Sequence, residues 1–174
     1  MDMTTKVTAA AERLFYRHGY TATGMDQLTE AAGMSSRTLY KHAGSKVQLM
    51  VRVLNERDRR FMARTEVQSV DALFAALKDW IMVEGARGCL FLRSLAETGG
   101  DTPEIADAVA AHKTAFHQRV GEIVAADLER EDPALAEQML VLFEGATHAA
   151  VYRGTEAVSA AQAAAAILME RART

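Results

Sequence analysis

Residues 19–49 read GYTATGMDQLTEAAGMSSRTLYKHAGSKVQL. Two short helices are expected inside this stretch. Thr23-Gly24-Met25-Asp26 has the form of a capping box, with an acidic residue in the fourth place, so a helix is expected to begin after Thr23. Met25, Leu28, Ala31 and Ala32 give that helix a buried face, and Gly33 ends it. Ser35 can cap a further helix running to about His42. Two short helices joined by a tight glycine-containing turn form a helix-turn-helix. The major groove of DNA admits one α-helix, which must carry a polar outer face and an apolar inner one. Ser36, Arg37 and Lys41 supply the polar face and Leu39 the inward anchor. Arg37 stands near the helix N-terminus, where a bidentate contact to guanine is worth about 1–3 kcal/mol of discrimination. Ser36 and Thr38 bring short hydroxyls suited to bases or phosphates, and Tyr40 a phenol able to reach a phosphate. Lys46 can hold a phosphate beside the positive end of the next helix. A plain helical hairpin with a solvated polar face has the same pattern.

On the N-terminal side, Val7, Ala10, Ala11, Leu14 and Phe15 form one apolar stripe, predicting a first helix from about Thr5 to His18 with Gly19 as its left-handed cap. On the other side a fourth helix is expected from near Ser45 to about Glu66, and a fifth capped by Ser69. Gly85 and Gly88 break the pattern before a short sixth helix, about Cys89 to Glu97. Thr102-Pro103 and Asp132-Pro133 each give a cap followed by proline at the first helical position. They start helices expected to end near Arg130 and Arg153. A last Ala-rich helix spans roughly Ser159 to Ala172.

The composition agrees with an all-α chain: 49% of the 174 residues are hydrophobic and only two are proline. The net charge is −3, which alone argues against a polyanion partner. Its distribution argues the other way. Residues 1–64 hold 11 Lys/Arg against 6 Asp/Glu, and residues 65–174 hold 9 against 17. A basic end on an acidic remainder suits a protein that lays one end on nucleic acid. The single cysteine, Cys89, and the absence of a signal-peptide pattern predict a cytoplasmic location. No segment is apolar enough for a membrane span.

The segment resembles the DNA-binding domain of the TetR family of bacterial regulators. The resemblance lies in Gly19-Tyr20, Thr23, Met25, Leu28, Ala32-Gly33-Met34-Ser35, Thr38-Leu39-Tyr40, His42, Ser45-Lys46 and Leu49. It implies a nine-helix, two-domain fold. Residues 1–46 would form the helix-turn-helix domain, and residues 47–174 a helical ligand-sensing and dimerisation domain. It also implies a homodimer on a palindromic operator. Ser35, Ser36, Arg37 and Thr38 match the family's base- and phosphate-contacting positions, and Tyr40, His42 and Lys46 its backbone-contacting ones. Thr23 and Lys41 complete the expected DNA-binding set. Thr29, Arg37, Ala43 and Val47 depart from the family's pattern. Ala43 replaces a common phenylalanine, so the junction between the third and fourth helices is expected to be looser or filled from elsewhere. At 174 residues the chain is short for the family, which implies a smaller pocket.

In the remainder, Gly145, Ala146, Ala149 and Ala150, with Ala160 to Ala166, permit close helix packing. A two-fold interface of two helices from each subunit is one reading, and packing within one chain is another. By the resemblance, a small-molecule effector would lie among Phe61, Trp80, Phe91, Leu95, Phe116, His117, Met139 and Phe143, although plain core packing explains each of these as well. Cys89 is read as a small buried hydrophobe in preference to a redox sensor. No catalytic motif, cofactor motif or convincing metal set stands out, and the Glu144/His148 pair is weak. The expectation is therefore a DNA-binding repressor, not an enzyme, released by an effector and without a cofactor. The competing readings are a helical metal protein or enzyme using His112, His117 and His148, and an interaction module without DNA binding.

Overall fold

The computed structural model describes residues 2–174, and no strand occurs among them. The described residues form α1 (Met3–His18), α2 (Met25–Ala32), α3 (Ser36–Ala43), α4 (Lys46–Arg64), α5 (Val70–Glu84), α6 (Leu90–Glu97), α7 (Pro103–Leu128), α8 (Pro133–Arg153) and α9 (Thr155–Arg173). The chain divides into two compact units. The first is Met1–Arg59 with Leu90–Ala111, and the second Arg60–Cys89 with His112–Thr174. Helices α4 and α7 therefore each contribute to both.

In the first unit, α1, α2 and α3 pack on one another. The apolar stripe of α1 (Val7, Ala10, Ala11 and Phe15) is buried, as are Leu28, Ala32, Leu39, Ala43, Leu49 and Met50. Arg57 of α4 reaches α1 with a 2.9 Å ion pair to Glu12 and lies over the Tyr16 ring at 4.6 Å. Helix α6 also belongs to this unit, and Arg93 Nη1 donates to the Tyr16 carbonyl at 2.9 Å.

The second unit is built on α5, α8 and α9, which pack pairwise, together with the C-terminal part of α7. Phe61 sits at the centre of its core. Trp80 lies 5.4 Å from its ring, Phe116 5.0 Å and Phe143 6.1 Å, all edge-on. Edge-to-face pairs of this kind contribute roughly 0.5–1.5 kcal/mol each beyond the area they bury.

Most helix starts follow the local chemistry. Ser69 and Asp132 accept the N–H groups of Ala72 and Leu135, and Pro133 opens α8. Four expectations are corrected. Asp2, not Thr5, sets the start of α1, because its carboxylate accepts the Thr5 N–H at 2.8 Å. This hydrogen bond holds the Asp2 carboxyl below its ordinary pKa. Helix α2 is capped by Gly24, whose N–H goes to Gln27 Oε1, and the Thr23 hydroxyl instead donates to Gly19 O at 2.7 Å. Gly19 has φ 95 and ψ 159, outside the left-handed helical well and in a region essentially closed to other residues. Helix α9 starts at Thr155, because Gly154 alone reverses the chain after α8.

Candidate nucleic-acid interface

The turn between α2 and α3 is set by Gly33, at φ 63 and ψ 45, with its N–H on Glu30 O. This is the left-handed conformation that glycine enters at least cost. Ser35 then caps α3: its Oγ accepts the Thr38 N–H at 3.2 Å and lies 2.9 Å from the Thr38 hydroxyl. Leu39 and Ala43, one turn apart, are fully buried and seat the helix. Burying such a leucine is worth about 1.5–3 kcal/mol.

The opposite face of α3 is solvent-facing. Ser36, Arg37, Tyr40 and Lys41 are exposed, and their spacing places them on one side of the helix. Arg37 and Lys41 form no hydrogen bond or ion pair among the described residues, so both charges are available to an incoming polyanion. An exposed Arg with nothing to neutralise it suits a bidentate base contact.

The C-terminal end of α3 is held by a residue that the sequence reading did not pick out. Arg52 of α4 reaches back, and its Nη2 donates to His42 O and Ala43 O, each at 2.8 Å. These are carbonyls the helix leaves without partners, and a cation there also matches the negative end of the helix dipole. Partial burial lowers the Arg52 pKa from its ordinary value, but a guanidinium stays charged in proteins. Arg52 thus ties the end of α3 to α4 through the backbone of His42 and Ala43. Position 52 lies nine residues from Ala43 with no local pattern to announce it.

At the start of α4, Ser45 and Gln48 form a reciprocal cap. Gln48 N–H donates to Ser45 Oγ at 3.1 Å, and Ser45 N–H to Gln48 Oε1 at 3.0 Å. Ser45-x-x-Gln48 is itself the capping-box pattern, so this cap was open to sequence reading. Lys46, next to it, is half-buried. Its Nζ donates to Thr21 O at 3.4 Å and stands 4.4 Å from the centroid of the Tyr20 ring. Burial lowers its pKa, and the charge of Glu97 opposes that shift.

The other residues expected at the interface are distributed as follows. His42 is half-buried, with Nδ1 3.3 Å from the Thr4 hydroxyl. Thr23 is buried and hydrogen-bonded to Gly19, so its side chain supports the unit from inside. The expected effector residues divide between the units. Phe61, Trp80, Phe116, Met139 and Phe143 share the second unit's core. Phe91 and Leu95 belong to the first. His117 lies away from the aromatic cluster: it is exposed, with Nε2 3.0 Å from Glu137 Oε2, and lines an open groove of about 340 Å³ with Gly121, Glu122 and Asp132. The buried histidine of the cluster is His112, whose ring centroid is 5.4 Å from that of Phe61. Glu144 pairs with Lys113, and no group of three metal-ligating side chains occurs among the described residues.

A capped, Leu-anchored helix with a basic outer face, braced by two others, defines a helix-turn-helix domain. Residues 7–53 match the family model described as bacterial regulatory proteins, tetR family, so this head is similar to the helix-turn-helix domain of that family. The HTH-type transcriptional repressor ComR of Escherichia coli is 32% identical over 108 residues, covering 56% of this chain and 51% of ComR. The HTH-type transcriptional activator FasR of Mycolicibacterium smegmatis is 44% identical over 45 residues, covering 26% of this chain and 20% of FasR. The chain thus spans about half or less of the curated relatives it matches. Among solved structures, a TetR-family transcriptional regulator from Streptomyces coelicolor superimposes with a TM-score of 0.89 at 24% identity, covering 99% of this chain and 96% of that one. The reduced form of Escherichia coli NemR gives a TM-score of 0.77 at 19% identity, covering 96% and 97%. These likenesses show that the chain shares the fold of those structures.

Proposed function

We propose that this protein is a DNA-binding transcriptional regulator, working as a homodimer on a palindromic operator and released from it by a small-molecule effector. Residues 1–46 would serve as its DNA-binding domain and residues 47–174 as its sensing and dimerising domain. The observation that carries this reading is the exposed α3 face with Arg37 and Lys41 unneutralised. Arg37 would read a base, while Ser36, Tyr40, Lys41 and Lys46 would hold phosphates. Repression is the mode named for ComR and activation the mode named for FasR. Of the two we infer repression, because the likeness to ComR runs over 108 residues and that to FasR over 45. The aromatic core around Phe61 is the proposed effector site. By linkage, an effector that releases DNA must bind the DNA-free form more tightly.

The test is a gel shift with the DNA flanking the protein's own gene. A sequence-specific complex is expected at moderate salt, and a folded protein that forms none overturns the reading. Arg37→Ala should reduce discrimination between operator and altered operator by about 1–3 kcal/mol while leaving non-specific binding nearly intact. Lys46→Ala should weaken every duplex alike. Competition gel shifts with single-base operator variants separate the two outcomes.

A further inference from the structure

The DNA-binding reading leaves one charged contact of the first unit without a role. Glu97, the last residue of α6, has its carboxylate on the turn between α1 and α2. Its Oε2 accepts the Thr21 N–H at 2.8 Å, and its backbone oxygen accepts the Thr21 hydroxyl at 3.3 Å. Thr21 is also the residue whose carbonyl receives Lys46 Nζ. The carboxylate and the ammonium thus hold one residue from its two ends. Gly19 takes its unusual conformation beside them, and a Cβ there would stand 2.8 Å from Glu97 Oε1. The chain comes as near to this carboxylate as a backbone can. Glu97 and Thr21 are both exposed, so this charge faces whatever approaches the turn. A carboxylate on a backbone N–H beside a lysine occupies the kind of site where a nucleic-acid phosphate is held.

Resting on the DNA-binding reading, we propose that Glu97 is a positioning residue through which α6 restrains DNA affinity. It holds the Gly19–Thr21 turn, and with it Lys46, in an arrangement that a DNA phosphate must displace. The negative charge near Lys46 keeps the ammonium partly satisfied inside the protein. Neutralising Glu97 while keeping an amide oxygen for the Thr21 N–H would let Lys46 engage a phosphate fully, where the wild type lets it do so only in part, without undoing the turn. A full phosphate contact in place of a partial one steepens the log–log salt dependence by up to about 0.9, which over a fourfold range of salt is a factor of up to roughly three to four in affinity.

The experiment measures binding of the full-length protein to a random-sequence duplex of about 30 base pairs, a length sufficient for charge-driven binding, from 50 to 200 mM salt. Wild type, Glu97→Gln, Glu97→Asp, Lys46→Ala and the Lys46→Ala/Glu97→Gln double variant are compared, with thermal melts of each. E97Q is expected to bind about threefold tighter at the low-salt end, with a steeper slope, and E97D to keep the wild-type slope. In the Lys46→Ala background, E97Q is expected to give a clearly smaller gain, the part that comes from removing a carboxylate alone, since the rest of the coupling runs through that lysine. A folded E97Q with unchanged or weaker binding and an unchanged slope overturns the proposal, as does an equal gain with and without Lys46. A wild-type protein that binds no duplex at all would instead overturn the DNA-binding reading on which the proposal stands.

Discussion

Replacing Arg52 by methionine is expected to lower operator affinity by about 10- to 100-fold, although this side chain lies on the far end of α3 from Arg37. The estimate follows from the two charge-assisted bonds to His42 O and Ala43 O. Hydrogen bonds to a charged group are each worth about 1.5–3 kcal/mol, and two that share one donor atom should contribute less than twice that. Methionine keeps much of the aliphatic bulk and removes the donors. The last turn of α3 then loses its tie to α4 and must rely on Leu39 and Ala43 alone. Lysine can reach one carbonyl as a point charge but cannot copy the planar guanidinium, so Arg52→Lys should fall between wild type and R52M. Hydrogen exchange should show α3 amides losing protection in R52M while those of α5, α8 and α9 keep theirs. Operator affinity and α3 protection both unchanged in a folded R52M would mean that apolar contact alone seats the recognition helix.

Arg52 also marks the limit of what the sequence made legible. The helices were readable because their signals are local. Ser35, Ser69, Asp132 and Pro133 act within one turn, and Leu39 with Ala43 falls on one stripe whatever the fold. The exposed face of α3 was readable for the same reason: a polar side opposite an apolar anchor needs no tertiary knowledge. The family resemblance rested on this segment as well, and residues 7–53 are where the family model matches. What escaped depends on pairs far apart in sequence. Arg52 reaches α3 from the next helix, and Glu97 meets Thr21 across 76 positions. His112 and His117 lie on one helix, yet one is buried against Phe61 and the other is exposed on Glu137. Their order in the chain does not reveal which face of α7 meets the core, because that helix is Ala-rich and weakly amphipathic. The misplaced start of α2 has a smaller cause. Thr23 resembles a capping residue, but its hydroxyl finds Gly19 O four residues back.

Gly145→Arg should convert the proposed dimer to a monomer and lower its affinity for a two-half-site operator by about 100-fold or more, since each half-site would then be held without the other. Glycine inside a helix costs about 0.8–1.0 kcal/mol relative to alanine. Gly145 lies in the middle of α8, and a Cβ built there meets nothing within 4 Å. Nothing within one chain calls for its absence of a side chain, so a close neighbour from outside is the natural reason. The surroundings agree. Val141, Ala149 and Tyr152 fall on the same side of α8 as Gly145, and Val141, Tyr152 and Ile167 of α9 are exposed apolar side chains. A groove of about 390 Å³ runs between α8 and α9, lined mainly by small or apolar residues including Gly145, Ala149 and Ala160. Small residues of this kind let two helix backbones approach, and a two-fold axis would set the patch against itself. Arginine at 145 would place a long cation in that approach while leaving the isolated chain unstrained, so the monomer should melt no lower than the wild-type chain does without its partner. Gly145→Ala separates the alternatives. A single methyl should leave the dimer in place, and it should raise the melting temperature only if the approach is loose enough to admit it. Sedimentation velocity across a concentration series reads the oligomeric state, and gel shifts with full and half operators read the consequence. A G145R protein that remains a dimer would put the interface on another surface, and a wild-type protein that sediments as a monomer would remove the homodimer from the proposed mechanism.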